Sequence, residues 1–123
     1  MNKQEERKIK VCLSGSTKFK AEFESERKRL ESLGILVLSP EIFSHSDNVE
    51  LTNEDREKLI IEHFERIESC DWMEVIDKDG YIGDGTMYEI AYAKKLGKDI
   101  AYYSKKKYLR LKDIHYDICS NRS

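Results

Sequence analysis

Short runs of consecutive apolar residues alternate along the chain with longer stretches in which apolar residues recur every three or four positions. The short runs predict β-strands at residues 9–13, 35–38, 72–76 and 100–103. The longer stretches predict helices at residues 18–33 and 52–69, and a third up to residue 96 after an opening segment at 83–86. This strict alternation indicates βαβ units, so we predict a three-layer α/β fold around a parallel sheet.

Two segments lack a clear period. Residues 41–52 are mostly polar and predict a long loop after the second strand, with His45 inside it. The tail at residues 105–123 begins with three lysines, and its later apolar residues fit a last strand or a helix equally well. We therefore expect one domain over residues 1–123, with a charged leader at 1–8 and a sheet of four or five strands.

Length and composition restrict the class of protein. The chain has 123 residues, of which 39% are hydrophobic and 37% charged, as is typical of a soluble domain with one core. The 22 basic and 24 acidic residues leave a net charge of −2, so we expect no nucleic-acid partner. No apolar stretch approaches the roughly 20 residues that span a bilayer, so we expect no membrane partner and a cytoplasmic location.

The sequence predicts neither a metal site nor a bound cofactor. The three cysteines, Cys12, Cys70 and Cys119, are far apart and lack the spacing of zinc ligands, which favours free thiols. Gly83-x-Gly85 is followed by Tyr88 where the dinucleotide-binding fingerprint requires glycine.

Ligands of open parallel sheets bind at the carboxyl ends of the strands, so the loops that follow the strands contain the candidate binding residues. In the first loop, Ser14, Gly15 and Ser16 offer amides and hydroxyls to a phosphate or sugar, or else form an ordinary helix cap. The second loop contributes His45. The third loop contributes Asp77, Tyr81, Gly83, Gly85 and Thr86, while Tyr81, Trp72 or Tyr92 could stack on a base.

Glu89 has two interpretations. It begins an otherwise mostly apolar helical stripe with Tyr92, Ala93 and Leu96, and a partly buried carboxylate near the start of a helix is a candidate nucleophile. Alternatively, Thr86 and Glu89 have the spacing of a capping box, in which the glutamate bonds only to the amide of the cap. The sequence leaves both interpretations open.

Residues 71–98 resemble the nucleoside 2-deoxyribosyltransferase superfamily. The most specific part is Gly-Tyr-Ile-Gly-x-x-Thr at 80–86, followed by Glu-Ile-x-Tyr-Ala at 89–93. Weaker matches lie at 13–16, 43–46 and 62–64, and the resemblance covers about residues 9–103. It implies a flavodoxin-like (Rossmann-like) fold, assembly as dimers or larger homo-oligomers, Glu89 as the nucleophile and Asp71 as part of the sugar site.

The chain departs from the superfamily in two places, of which one is the tail, where no residue matches the polar group that the C-terminal segment of members supplies to a partner's site. Superfamily members also usually have an aspartate about six residues before the nucleophile, where this chain has Gly83 next to Asp84. We therefore expect an enzyme that transfers or hydrolyses 2-deoxyribosyl groups of a nucleoside or nucleotide, with Asp84, Asp71 or water as the proton donor. The alternatives are a nucleotide-binding sensor module without turnover and, third, an interaction domain without a small ligand.

Overall fold

The computed structural model describes residues 7–40 and 50–108. The predictions for His45 and for the tail beyond residue 108 lie outside these residues, and the single domain predicted over 1–123 stays a prediction. The strands are β1 (Lys10–Gly15), β2 (Leu36–Leu38), β3 (Trp72–Ile76) and β4 (Asp99–Tyr102). The α-helices are α1 (Lys20–Glu31), α2 (Asn53–Ser69) and α3 (Asp84–Lys95).

The described strands form one parallel sheet in the order β2-β1-β3-β4. This order and direction confirm the predicted α/β fold of the flavodoxin-like type. The chain moves outward from β1 to β2 on one side and to β3 and β4 on the other. The carboxyl ends of β1 and β3 therefore flank the switch point where such sheets bind ligands.

Helices cover both faces of the sheet. On one face α1 packs through Phe23 and Leu30 onto a core that includes Val11 and Leu13 of β1. On the other face α2 and α3 pack onto a second cluster that includes Cys12 of β1. Side chains alternate along a strand, so Ser14 lies on the same face as Cys12, towards α2 and α3.

Strand β1 continues two residues beyond the predicted end. Ser14 and Gly15 pair with Val75 and Ile76 of β3 instead of starting a loop. A β-carbon at Gly15 would lie 2.7 Å from the carbonyl oxygen of Ile76, so the strands can approach this closely only with glycine there. Ser14 is therefore held in the sheet itself.

The predicted start and end of α2 are confirmed. Thr52 is the N-cap, and its side chain and that of Asp55 form a reciprocal capping box. None of the helices in the described ranges is both long and apolar enough to cross a membrane.

Candidate functional site

Glu89 lies in the second turn of α3 and contacts two polar side chains on other elements. The hydroxyl of Ser14, on β1, donates a hydrogen bond to its Oε1. The Nε2 of His63, on α2, lies 3.2 Å from the same Oε1 and 3.3 Å from the Ser14 hydroxyl oxygen. Three elements thus bring together a carboxylate, a hydroxyl and an imidazole at the carboxyl end of β1.

The capping box considered for Thr86 and Glu89 is not formed. Helix α3 begins at Asp84 with Gly83 as its N-cap, so Thr86 is the third residue of the helix and is buried. The Glu89 carboxylate bonds across to β1 and α2 and not back to the start of its own helix.

Arg66 determines which nitrogen of His63 carries the proton. Its Nη2 lies 3.1 Å from the Nδ1 of His63, one helical turn earlier on α2. A guanidinium group only donates hydrogen bonds, so Nδ1 must accept and the ring proton sits on Nε2. His63 therefore presents an N–H to Ser14 and Glu89.

This proton arrangement excludes a serine nucleophile activated by His63. A general base needs a free lone pair facing the hydroxyl, whereas the Nε2 of His63 is already protonated. The Ser14 hydroxyl donates its hydrogen bond to Glu89 and not to His63, and Ser14 is fully buried. The Glu89 side chain is 24% exposed, so of these three groups it is the carboxylate that a ligand can reach.

The loops after β1 and β3 meet at the same end of the sheet as the cluster of Ser14, His63 and Glu89. Tyr81 is 47% exposed, and its ring packs edge-on against Phe19 with the centroids 6.0 Å apart. The ammonium of Lys18 lies 3.7 Å from the centre of the Tyr81 ring. A positive charge and an exposed aromatic ring therefore lie together at the carboxyl edge of the sheet.

The other two aromatic candidates for base stacking lie elsewhere. Tyr92 stacks on Phe64 at 4.7 Å between centroids, and its hydroxyl donates to Glu68. Trp72 packs against the core beneath α1. Of the three predicted stacking residues, only Tyr81 lies in the loop that follows β3 at the carboxyl edge.

The remaining candidates of the first and third loops either bond to other groups of the protein or are exposed. The Ser16 hydroxyl accepts from the amide of Lys18 at 3.3 Å and caps the short 3-10 helix Thr17–Phe19. Asp77 is buried directly after β3 and accepts two hydrogen bonds of 2.7 Å, from the amide and the hydroxyl of Ser104. Asp84 and Gly85 are exposed in the first turn of α3.

Asp71 lies at the opposite edge of the sheet from Glu89. It directly precedes β3 and accepts a hydrogen bond of 2.7 Å from the amide of Lys10, at the start of β1, and one from the guanidinium of Arg7. Burial works against its charge, but these donors outweigh burial and hold the pKa of Asp71 below its ordinary value. The structure therefore does not bring Asp71 and Glu89 together.

Arg66, which contacts His63, also lines a cavity of about 460 Å³. The cavity is otherwise lined by Leu38, Pro40, Leu59, Glu62, Glu65 and Ser69.

In residues 7–40 and 50–108, no group of three or more His, Cys, Asp or Glu side chains is arranged to hold a metal ion. Cys12 and Cys70 are buried free thiols, and burial raises the pKa of both.

A family model described as a domain of unknown function, DUF4406, matches residues 9–102. The chain belongs to the DUF4406 family. A comparison of this DUF4406 chain with curated proteins gives no match.

Two solved structures are similar to the DUF4406 chain. The 2-deoxyribosyltransferase of Bacillus psychrosaccharolyticus has a TM-score of 0.54 and 24% identity, over 76% of this chain and 71% of that one. The 2-desoxiribosyltransferase of Leishmania mexicana has a TM-score of 0.53 and 19% identity. The match covers 77% of this chain and 63% of the Leishmania chain, which is less than two thirds of its length. The DUF4406 chain thus has the fold of these transferases, and the flavodoxin-like fold that the resemblance of residues 71–98 implied is confirmed.

Sequence reasoning missed His63 and Arg66 as members of the cluster. His63 lies within the apolar stripe of α2, where a histidine is more often a packing residue than a catalytic one. That position was nevertheless a usable signal, because a buried imidazole requires hydrogen-bond partners. The arginine three residues later lies on the same helix face and supplies one of them.

Proposed function

We propose that this DUF4406 protein is an enzyme of N-glycosidic bonds that transfers or hydrolyses the 2-deoxyribosyl group of a nucleoside or nucleotide. The observation that supports this best is that the Glu89 carboxylate is bonded to the protein through only one of its two oxygens, as far as the described residues show. Ser14 and His63 hold one of its oxygens, while the other accepts no hydrogen bond from the described residues. The fold shared with two deoxyribosyltransferases supports the substrate class.

The reaction is a double displacement at the anomeric carbon. The free oxygen of Glu89 attacks C1′ as the C1′–N bond breaks, and the bond's electron pair leaves with the base, which gains a proton. A nitrogen of a second base, or water, then attacks C1′, loses a proton and releases the carboxylate. The transition state resembles an oxocarbenium ion, which a carboxylate beside C1′ stabilises electrostatically as well as covalently.

The proton for the departing base comes from Asp84 or from water in this proposal. Asp84 is exposed in the first turn of α3, the helix that carries Glu89. Asp71 is at the other edge of the sheet, so we assign it to the stability of the fold. Tyr81 is the residue we assign to stacking on the base, because its exposed ring lies at the carboxyl edge.

The experiment is an incubation of the protein with deoxynucleosides and deoxynucleoside monophosphates, with and without a second base. Chromatography follows the free base and any new nucleoside. We expect base release by the wild type and none by Glu89→Gln, which preserves the shape of the side chain but not the nucleophile. Turnover by Glu89→Gln at the wild-type rate would contradict the assignment.

One observation favours a second candidate, a nucleotide-binding module without turnover. In the described residues no aspartate contacts Glu89, and Gly83 occupies the place where the superfamily usually has one. A binding module would show a nucleotide-dependent rise in melting temperature without any product. Assembly as a dimer or larger homo-oligomer stays a prediction, which light scattering tests.

A further inference from the structure

We propose that Arg66 and His63 form a positioning relay that fixes which oxygen of Glu89 faces the substrate. The proposal rests on the proposed function, in which Glu89 is the nucleophile. Arg66 holds His63 with its proton on Nε2, His63 and Ser14 anchor Oε1 of Glu89, and Oε2 remains to attack C1′.

The first step is the effect of Arg66 on the imidazole. Without a donor facing Nδ1, the neutral ring could carry its proton on either nitrogen. The tautomer with the proton on Nδ1 would direct the lone pair of Nε2 at Oε1 of Glu89, 3.2 Å away, and repel it. Arg66 removes this tautomer by donating to Nδ1.

The second step is the effect of the imidazole on the carboxylate. The last torsion of a glutamate side chain is broad and roughly two-fold, so an unanchored carboxylate samples many orientations. Donors from two different elements converge on Oε1, which fixes both the plane of the group and the direction of Oε2. A nucleophile held this way loses less orientational freedom on the way to the transition state.

The third step concerns the cost of this arrangement to the fold. His63 is buried, and the Nε of Arg66 is also buried without a hydrogen-bond partner among the described residues. A buried N–H without a partner destabilises the folded state. Apolar side chains on this face of α2 would avoid that cost, so stability alone does not explain the pair.

The experiment is a double-mutant cycle on the deoxyribosyl reaction, with kcat and KM measured separately. In His63→Gln the side-chain amide places an N–H close to the position of Nε2 and has no tautomers. In the wild-type background, Arg66→Met should lower kcat about 10- to 100-fold, with little change in KM. This is the usual effect of losing a group that orients a functional side chain without contacting the substrate. In the His63→Gln background, the same Arg66→Met change should have no further effect on kcat.

Two variants complete the set. His63→Leu removes the donor and should lower kcat at least as much as Arg66→Met does; if it does not fold, His63→Asn, which is too short to reach Glu89, replaces it. Arg56→Met, a matched change at an exposed position in the first turns of α2, should leave kcat unchanged. Additive effects of the Arg66 and His63 substitutions would overturn the relay, since a merely structural arginine would act in both backgrounds.

Nitrogen-15 NMR of the histidines gives a readout that needs no turnover. We expect His63 to carry its proton on Nε2 in the wild type and to populate both tautomers in Arg66→Met. A proton on Nδ1 in the wild type would overturn the relay even in an active enzyme. A wild type without base release but with the expected tautomer shift would refute the proposed function and leave the Arg66–His63 step standing.

Discussion

Two carboxylates occupy opposite edges of the same sheet, and they differ in how completely the protein bonds them. Asp71, at the amino edge, uses both oxygens, because Oδ1 accepts from Arg7 and Oδ2 from the amide of Lys10. Glu89, at the carboxyl edge, uses only Oε1 within the described residues. A carboxylate bonded through both oxygens joins elements of the fold, whereas one bonded through a single oxygen keeps the other for a ligand.

The groups that bond to Asp71 also differ from those that bond to Glu89. A charged guanidinium and a backbone amide hold Asp71, and both groups only donate hydrogen bonds, whatever their own neighbours are. Glu89 is held by a hydroxyl and an imidazole, whose proton positions depend on their own neighbours. In the proposed function, therefore, Glu89 carries the chemistry and Asp71 stabilises the fold.

The largest expected effect is that of Glu89→Gln on turnover. Removing the nucleophile should lower kcat by more than about 1,000-fold, as losing a nucleophile does in enzymes with covalent intermediates. The melting temperature should stay close to that of the wild type, because the amide oxygen can still accept from Ser14. Glu57→Gln, the same change at an exposed position of α2, is the control for both measurements.

Ser14→Ala should have the next largest effect. It removes one of the two donors to Oε1 without adding bulk, so kcat should fall about 10- to 100-fold while KM changes little. Ser32→Ala, at the exposed end of α1, is the matched control. A pure rise in KM would show that Ser14 contacts substrate instead of orienting Glu89.

Much of the fold could be predicted because its signals are local. β3 was predicted with the bounds that the structure shows, since its five apolar or buried residues are flanked by aspartates. The end of β1 was missed because Ser14 and Gly15 resemble turn residues, and only their pairing with β3, 61 residues later in the case of Ser14 and Val75, makes them part of a strand.

In the candidate site, too, the residues with local sequence signals could be predicted, whereas their partners from other elements could not. Glu89 could be selected from its place on an apolar stripe, but its partners Ser14 and His63 come from two other elements, and Ser14 is 75 positions away in sequence. The assignment of Asp71 to the sugar site followed motif resemblance alone. Its position before β3 already indicated the amino edge, because in a parallel sheet the residues preceding every strand lie at the edge away from the ligand.

Asp71→Asn should change stability more than activity. The amide offers one acceptor where the carboxylate offers two, so one of the donors, from Arg7 or Lys10, loses its partner. We expect a loss of about 1–2 kcal/mol in the free energy of unfolding, measured with urea. We also expect kcat to stay close to that of the wild type, because Asp71 lies away from Glu89. A large loss of kcat in a folded variant would return Asp71 to the catalytic site.

The smallest expected effect is the pH dependence of that stability difference. The folded-state pKa of Asp71 is lowered, so the unfolded chain, with a pKa of about 3.9, binds the proton more tightly. The contribution of Asp71 is therefore complete above about pH 5 and is lost as the pH falls through the unfolded and then the folded pKa. The difference between wild type and Asp71→Asn in urea should shrink as the pH falls from about 5 to about 3. A constant difference over that range would mean that Arg7 and the Lys10 amide do not hold the carboxylate in its charged form.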